Sequence, residues 1–285
     1  MRFERAAIIG VGLIGGSLAL AARAAGLIGE VVGLGRSEAN LRVGLERGIL
    51  DRAVRDAADV GRVDLVVLAV PVRRTAAVAA TLAPYVGAGA VWTDVGSVKG
   101  MVVEPMEALL GAERPFVGAH PIAGSERAGA AAAAIDLFRG ARCVLTPTPR
   151  TDAAALARVR GLWEGVGARI EVMSPAAHDR ALAWTSHLPH VVAYALVGGL
   201  ARAAGDLGAL AGPSWRDTTR VAASSPELWR DIFLANADAV LAAVDGFAAE
   251  IERLRAAVAH GDEAALTALL EAAVAAKRLG GGGPT

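Results

Sequence analysis

The sequence predicts an α/β fold: a mostly parallel sheet in the N-terminal part of the chain and an all-helical C-terminal part. Three observations predict it. Short apolar runs alternate with helical patterns through the first 170 or so residues, as strands joined by crossover helices do. A glycine cluster, Gly10-Val11-Gly12-Leu13-Ile14-Gly15, stands between the first strand-like run and the first helical one. After Ser174-Pro175 strand-like runs cease, and Ala-, Leu- and Val-rich segments take over. The expected division is therefore residues 1–172 and residues 173–285.

The predicted strands are Ala6-Ile9, Glu30-Leu34, Leu65-Ala69, Ala90-Asp94, Pro115-Ala119, Arg142-Thr146 and Arg169-Met173, most of them separated by helical stretches. A helix is expected to start near Pro175 and to run past His187. Pro189 should kink it, because proline lacks an N–H and crowds the carbonyl four residues back. Another helix begins at Ser224-Ser225-Pro226-Glu227, where Ser224 and Glu227 fit a capping box and Pro226 suits a first turn. Apolar residues from Leu228 and Ile232 to Ile251 and Val258 continue the pattern. That stripe is long for one small core, so it is expected to meet a second subunit. A last helix follows Gly261-Asp262, and the tail from Gly280 is expected to be disordered.

Composition narrows the function. Lys+Arg and Asp+Glu balance at 29 each, which argues against a nucleic-acid partner, since that requires a basic footprint. An anionic substrate must then be held by local cations. The single cysteine, Cys143, excludes an internal disulfide framework and reads as a buried packing residue. No apolar run approaches the roughly 20 residues of a membrane span, and the first residues carry no signal-peptide pattern. A cytoplasmic protein without a membrane partner is expected.

The glycine cluster is a G-x-G-x-x-G sequence in its informative context, after a strand and before a helix. Gly10 permits the tight turn, Gly12 lets a pyrophosphate approach the backbone, and Gly15 lets helix and strand pack closely. Leu13 and Ile14 open the helix whose free N–H groups favour an anion. The N-terminal part is thus expected to be a Rossmann-type dinucleotide-binding domain. The second strand ends at Gly35-Arg36-Ser37. An acid at position 35 would accept hydrogen bonds from ribose hydroxyls; glycine cannot, and Arg36 and Ser37 suit a 2′-phosphate. NADP or NAD is expected, with a lean to NADP.

Open α/β sheets bind ligands beyond the carboxyl ends of their strands. Val70-Pro71, Asp94-Val95-Gly96-Ser97-Val98-Lys99 and His120 all fall there. His120 belongs to the Gly/Pro-punctuated stretch Gly118-Ala119-His120-Pro121-Ile122-Ala123-Gly124-Ser125-Glu126, which reads as a loop. Together with Ser186-His187-Leu188-Pro189-His190 and Trp215-Arg216-Asp217-Thr218-Thr219-Arg220, these segments resemble the prephenate/arogenate dehydrogenase family of tyrosine biosynthesis over nearly the whole chain. Gly35 is the clear departure, and it bears on cofactor choice.

The resemblance implies oxidative decarboxylation of a cyclohexadienyl dicarboxylate, prephenate or its amine counterpart arogenate, with hydride passing to NAD(P). It implies that His120 accepts the ring hydroxyl's proton, that Ser97 orients the hydroxyl or the imidazole, and that Arg220 grips the side-chain carboxylate. It sets Ser186, His187 and His190 near the ring carboxylate, and Glu126, Arg216 and Asp217 around the pocket mouth. Val70, Pro71 and Asp94 would face the cofactor. A homodimer through the helical part is expected. His187 and His190 have helical i, i+3 spacing, but no further ligand is evident and no metal is expected. Lys99 reads as a surface residue at a helix start, and His178 and His260 as structural or solvated. Hydroxyacid dehydrogenases of similar plan place a catalytic lysine early in the second domain; Lys99 and Lys277 are the only lysines, and neither lies there. A non-enzymatic dinucleotide sensor would not require His120, Ser97 and Arg220 together.

Overall fold

Gly10 ends the first strand at the middle of a six-stranded parallel sheet. The computed structural model describes residues 2–125, 127–203 and 207–280; the predicted disorder of the tail beyond Gly280 concerns residues outside that range. The large sheet comprises β1 (Phe3–Ile9), β2 (Ile28–Leu34), β3 (Arg52–Val54), β4 (Leu65–Leu68), β5 (Val91–Asp94) and β6 (Phe116–Val117). Its order is β3-β2-β1-β4-β5-β6, with every pairing parallel. Strand order reverses between β1 and β4, the point at which such sheets open a ligand crevice. Ala6, Ala7 and Ile8 in β1 and Leu65, Val66 and Val67 in β4 have no exposed surface, as expected of strands covered on both faces.

A second, three-stranded sheet holds β7 (Ala119–Ile122), β8 (Arg142–Leu145) and β9 (Arg169–Val172). Strand β7 pairs antiparallel with β8, so His120 faces Val144 in the register. The expected loop around His120 is therefore corrected: its first half is a strand. Pro121 is compatible with it because β7 is an edge strand, where a missing N–H is tolerated. Strand β3 also went unread.

Helices α1 (Leu13–Ala24), α2 (Glu38–Glu46), α3 (Thr75–Leu82), α4 (Gly100–Leu110) and α5 (Ala153–Gly165) join the strands. They are followed by α6 (Pro175–Leu182), a π-helical turn at Ala183–His187, and α7 (Leu188–Arg202). The expected kink is thus a widened turn directly before Pro189, which sits in the first turn of α7 and needs no N–H partner there. Further on lie α8 (Pro213–Thr219) and α9 (Pro226–Ala235). The cap of α9 is Ser225 rather than Ser224: its hydroxyl accepts from the Leu228 N–H at 3.3 Å and bonds Glu227. The long apolar stripe is also corrected, because Asn236 separates α9 from α10 (Ala237–His260).

Two compact units result, residues 1–237 and residues 238–285. The first contains both sheets and the helices through α9. The second contains nearly all of α10, and α11 (Glu263–Gly280), joined through Gly261, at φ +62°, and Asp262, whose carboxylate caps α11 at Ala265. No single helix among the described residues is long and apolar enough to cross a membrane.

Candidate active site

The glycine cluster performs the roles its spacing implies. Gly10 has φ +97°, and a Cβ there would run into the Ala69 carbonyl. A Cβ on Gly15 would strike the Gly10 carbonyl and lie 2.9 Å from the Ala69 Cβ. Gly12 is different: it caps α1 without a side-chain hydrogen bond, and a Cβ there would meet nothing within 4 Å. The first-turn N–H groups of α1, where Leu13 and Ile14 stand half-exposed, are thus approachable by a phosphate.

A cavity of about 530 Å³ adjoins this turn. Gly10, Gly12, Gly35, Arg36, Ser37, Val70 and Pro71 line it, and so do Arg55 and Arg74, which sequence reasoning missed. The Ser37 hydroxyl accepts from the Asn40 N–H at 3.2 Å and caps α2. The turn and its cavity fit a nicotinamide dinucleotide, with three guanidinium groups lining the wall.

Asp94 does not face this cavity. It has no exposed surface, and its carboxylate accepts from the Ala119 N–H at 3.1 Å, from the Gly96 N–H at 2.9 Å and from Lys99 Nζ. Lys99 is equally buried and donates also to the Ala119 carbonyl at 2.8 Å. Both expectations are corrected: Asp94 is not open to a cofactor, and Lys99 is not a surface residue. Together they lash the loop after β5 to β7. Ser97 rides on that loop, half-exposed.

His120 extends from β7 into a cluster of imidazoles. Its Nδ1 lies 2.8 Å from His178 Nε2, and His178 Nδ1 lies 2.7 Å from Asp179 Oδ1. Asp179 also accepts from the Lys99 N–H at 2.8 Å and from the Gly100 N–H at 2.7 Å. His178, which the sequence marked as structural or solvated, is fully buried and touches His120. Burial, then the nearby His178, Lys99 and His187, hold the His120 pKa well below the ordinary histidine value. Burial of Asp179 acts to raise its pKa, but the hydrogen bonds from His178, Lys99 and Gly100 bring it below the usual carboxylate range. Cys143 is buried in β8 and its thiol is pushed up by burial.

His187 is fully buried; its Nδ1 lies 3.2 Å from the Asn236 amide nitrogen, which also donates to the Asp179 carbonyl at 2.9 Å. The Asn236 amide is therefore the donor to Nδ1, and His187 carries its proton on Nε2. That Nε2 is buried without a partner among the described residues. Burial lowers the His187 pKa to about 4. His190 donates from Nδ1 to the Ser186 carbonyl at 2.9 Å and stacks on Trp229, with ring centroids 3.3 Å apart. Burial lowers its pKa, the hydrogen bond with Ser186 acts to raise it, and the Arg220 charge lowers it further; Arg220 begins the helical turn Arg220–Ala223, which packs against α7.

Arg220, Arg216 and Asp217 are exposed and make no ion pair among the described residues. Glu126 lies outside the described residues, and with it any pairing to Arg216. The structure thus links His120, His187 and His190 through a chain of contacts, with Arg220 on the turn that packs against α7. Asp179, Trp229 and Asn236 join them there, unread in the sequence; only their placement in space marks them.

Comparison with known proteins gives a consistent result. Residues 18–172 match the nucleotide-binding domain of prephenate dehydrogenase, and residues 174–272 match its dimerization domain. The chain is 40% identical to the cyclohexadienyl dehydrogenase of Zymomonas mobilis over 265 residues, which is 91% of this chain and 90% of that one. Its fold is similar to that of Aquifex aeolicus prephenate dehydrogenase in complex with hydroxyphenyl propionate and NAD+: the TM-score is 0.92 at 36% identity, with 98% of each chain covered. It is similar also to Synechocystis arogenate dehydrogenase, with a TM-score of 0.83 at 31% identity, covering 96% of this chain and 99% of that one.

Proposed function

The chain belongs to the prephenate dehydrogenase family, and from that premise we propose that it oxidatively decarboxylates prephenate to 4-hydroxyphenylpyruvate. The observation that carries the reading is the buried His120 imidazole, held beyond the end of β6 against His178, with its pKa depressed. A base that remains unprotonated at neutral pH is what the ring hydroxyl requires.

A bound nicotinamide supplies the hydride acceptor. His120 takes the hydroxyl proton as hydride leaves the ring carbon. The ring carboxylate then departs as CO₂, its bonding electrons complete the aromatic ring, and the proton returns to the phenolic oxygen. Because His120 Nδ1 is engaged by His178, Ser97 is left to orient the substrate hydroxyl. His187, with its unpartnered Nε2–H, hydrogen-bonds the ring carboxylate without a full charge, so the group can still leave. Arg220 grips the side-chain carboxylate through two parallel hydrogen bonds, and Ser186 and His190 shape the wall beside it. Arg216 and Asp217 stand at the pocket mouth.

Replacing Arg220 by Ala is expected to raise KM for prephenate by roughly 10- to 100-fold with a smaller change in kcat, from the ~1.5–3 kcal/mol of a charged hydrogen-bonded contact. A KM near that of the wild type in steady-state assays would remove Arg220 from the site.

For the cofactor, the lean is to NADP, on Gly35 and the three arginines Arg36, Arg55 and Arg74 that line the cavity. Activity on arogenate is the second reading, favoured by the likeness to the Synechocystis enzyme. One assay that crosses prephenate and arogenate with NAD and NADP tests both. Higher kcat/KM with NADP is expected, and a tenfold preference for NAD would reverse the cofactor reading. Failure to reduce either cofactor with either substrate would overturn the activity. We place the boundary between a dinucleotide-binding part and a helical dimerisation part at 172/173, in line with the family matches on either side of it. The homodimer is read from the same dimerization match and from exposed Leu241, Ile251, Val258, Leu270 and Val274 in the terminal helices.

A further inference from the structure

We propose that His178 and Asp179 are positioning residues that lock His120 in one tautomer, with the proton on Nδ1 and Nε2 bare toward the substrate. The inference rests on His120 being the base of the proposed reaction. Its physical ground is the sequence of donors and acceptors along three touching side chains.

Asp179 is the fixed end. Its carboxylate accepts from the backbone N–H groups of Lys99 and Gly100, which open α4, so it is anchored to the loop that carries Ser97. An ionised carboxylate only accepts, so His178 Nδ1 must carry a proton toward Asp179 Oδ1, 2.7 Å away. With one proton on its ring, His178 then has a bare Nε2. That nitrogen faces His120 Nδ1 at 2.8 Å, so His120 must donate there. The remaining nitrogen of His120, Nε2, is left as the acceptor. The reverse order, with His120 Nε2 protonated, would leave two lone pairs facing each other across 2.8 Å or require a second proton on His178.

The same pair serves the next moment of the reaction. When His120 accepts the hydroxyl proton it becomes an imidazolium, with protons on both nitrogens. Its Nδ1–H then points through His178 to the Asp179 charge, which stabilises the cation in a site shielded from water. The other charged and titratable neighbours, Lys99, Asp94, His187 and Cys143, differ from this pair. Lys99 is joined to Asp94, His187 to Asn236, and none of them hydrogen-bonds the His120 ring.

The test has two arms. In the first, long-range ¹⁵N–¹H spectra of histidine-labelled wild-type protein report the tautomer of His120, identified by its loss in His120→Asn. A single Nδ1–H form is expected; an Nε2–H form overturns the proposal, and this reading needs no turnover. In the second, His178→Ala is expected to lower kcat by about 10²-fold, as misorientation of a reacting group does, with KM little changed. His178→Asn, whose amide can accept from His120 and donate to Asp179, should recover much of the loss. Asp179→Asn should shift the acid limb of kcat to lower pH, because the lost negative charge had favoured the imidazolium. A purely structural role would leave that limb in place. Wild-type kcat and an unmoved limb in His178→Ala and Asp179→Asn overturn the proposal. If wild-type protein fails to consume prephenate, the activity falls, and the spectra still decide the tautomer.

Discussion

His120→Asn is expected to lower kcat on prephenate about 10³-fold, within the range by which a positioned base accelerates proton transfer. That factor corresponds to ~4 kcal/mol of transition-state stabilisation. KM should move only a few-fold, because Arg220, His187 and Ser186, the residues proposed to bind the substrate, are unaltered whatever occupies position 120. Asparagine fills part of the imidazole's volume and can donate to His178 Nε2, so edge strand β7 and its pairing with β8 should survive. The pH profile adds an independent check. In the wild type, kcat/KM falls as pH drops through the His120 pKa, since only the unprotonated ring can act. Burial and the neighbouring His178, Lys99 and His187 hold that pKa well below the ordinary value, so the acid limb should lie below the usual histidine range. The variant should lack the limb. Unchanged turnover in stopped-flow or steady-state assays would refute the role.

Most of the large sheet was legible, because its strands are apolar runs bounded by turn residues and buried on both faces. The glycine cluster was legible for a local reason, since strand, turn and helix follow one another between Phe3 and Ala24, whereas the close approach of Gly10 to the Ala69 carbonyl appears only in the fold. Strand β7 was not, since Pro121 punctuates it and its partner β8 is 20 residues on. The catalytic surroundings were legible only in part. His120 and Arg220 stood out by resemblance, but His178 lies 58 residues from His120 and nothing local ties the two. Asn236 carries no helix-breaking signature of the Gly or Pro kind. Its amide interrupts the stripe because the Asp179 carbonyl and His187 claim both its protons. The solvated reading of Lys99 failed for a similar reason: burial of a lysine depends on an acid that only the fold brings beside it.

That buried pair carries the largest expected effect on stability. Lys99→Met is expected to destabilise the protein by about 3–5 kcal/mol, the loss seen when one partner of a buried ion pair is removed. Methionine replaces most of the aliphatic stem, so lost packing is a minor part. What remains is Asp94, without exposed surface, keeping two backbone N–H donors and losing the ammonium. In thermal denaturation the midpoint should fall on the order of 10 °C. Adding Asp94→Asn should recover part of the loss, because the unpaired charge is then gone and the amide oxygen can still accept from Gly96 or Ala119. A non-additive cycle of this kind isolates the pair from its surroundings. The single variant should also lose kcat, since Lys99 holds the Ala119 carbonyl next to His120 and the loop that bears Ser97. An equal deficit in Lys99→Met and in the Lys99→Met/Asp94→Asn double variant would mean that packing, and not the charge, is what Lys99 contributes.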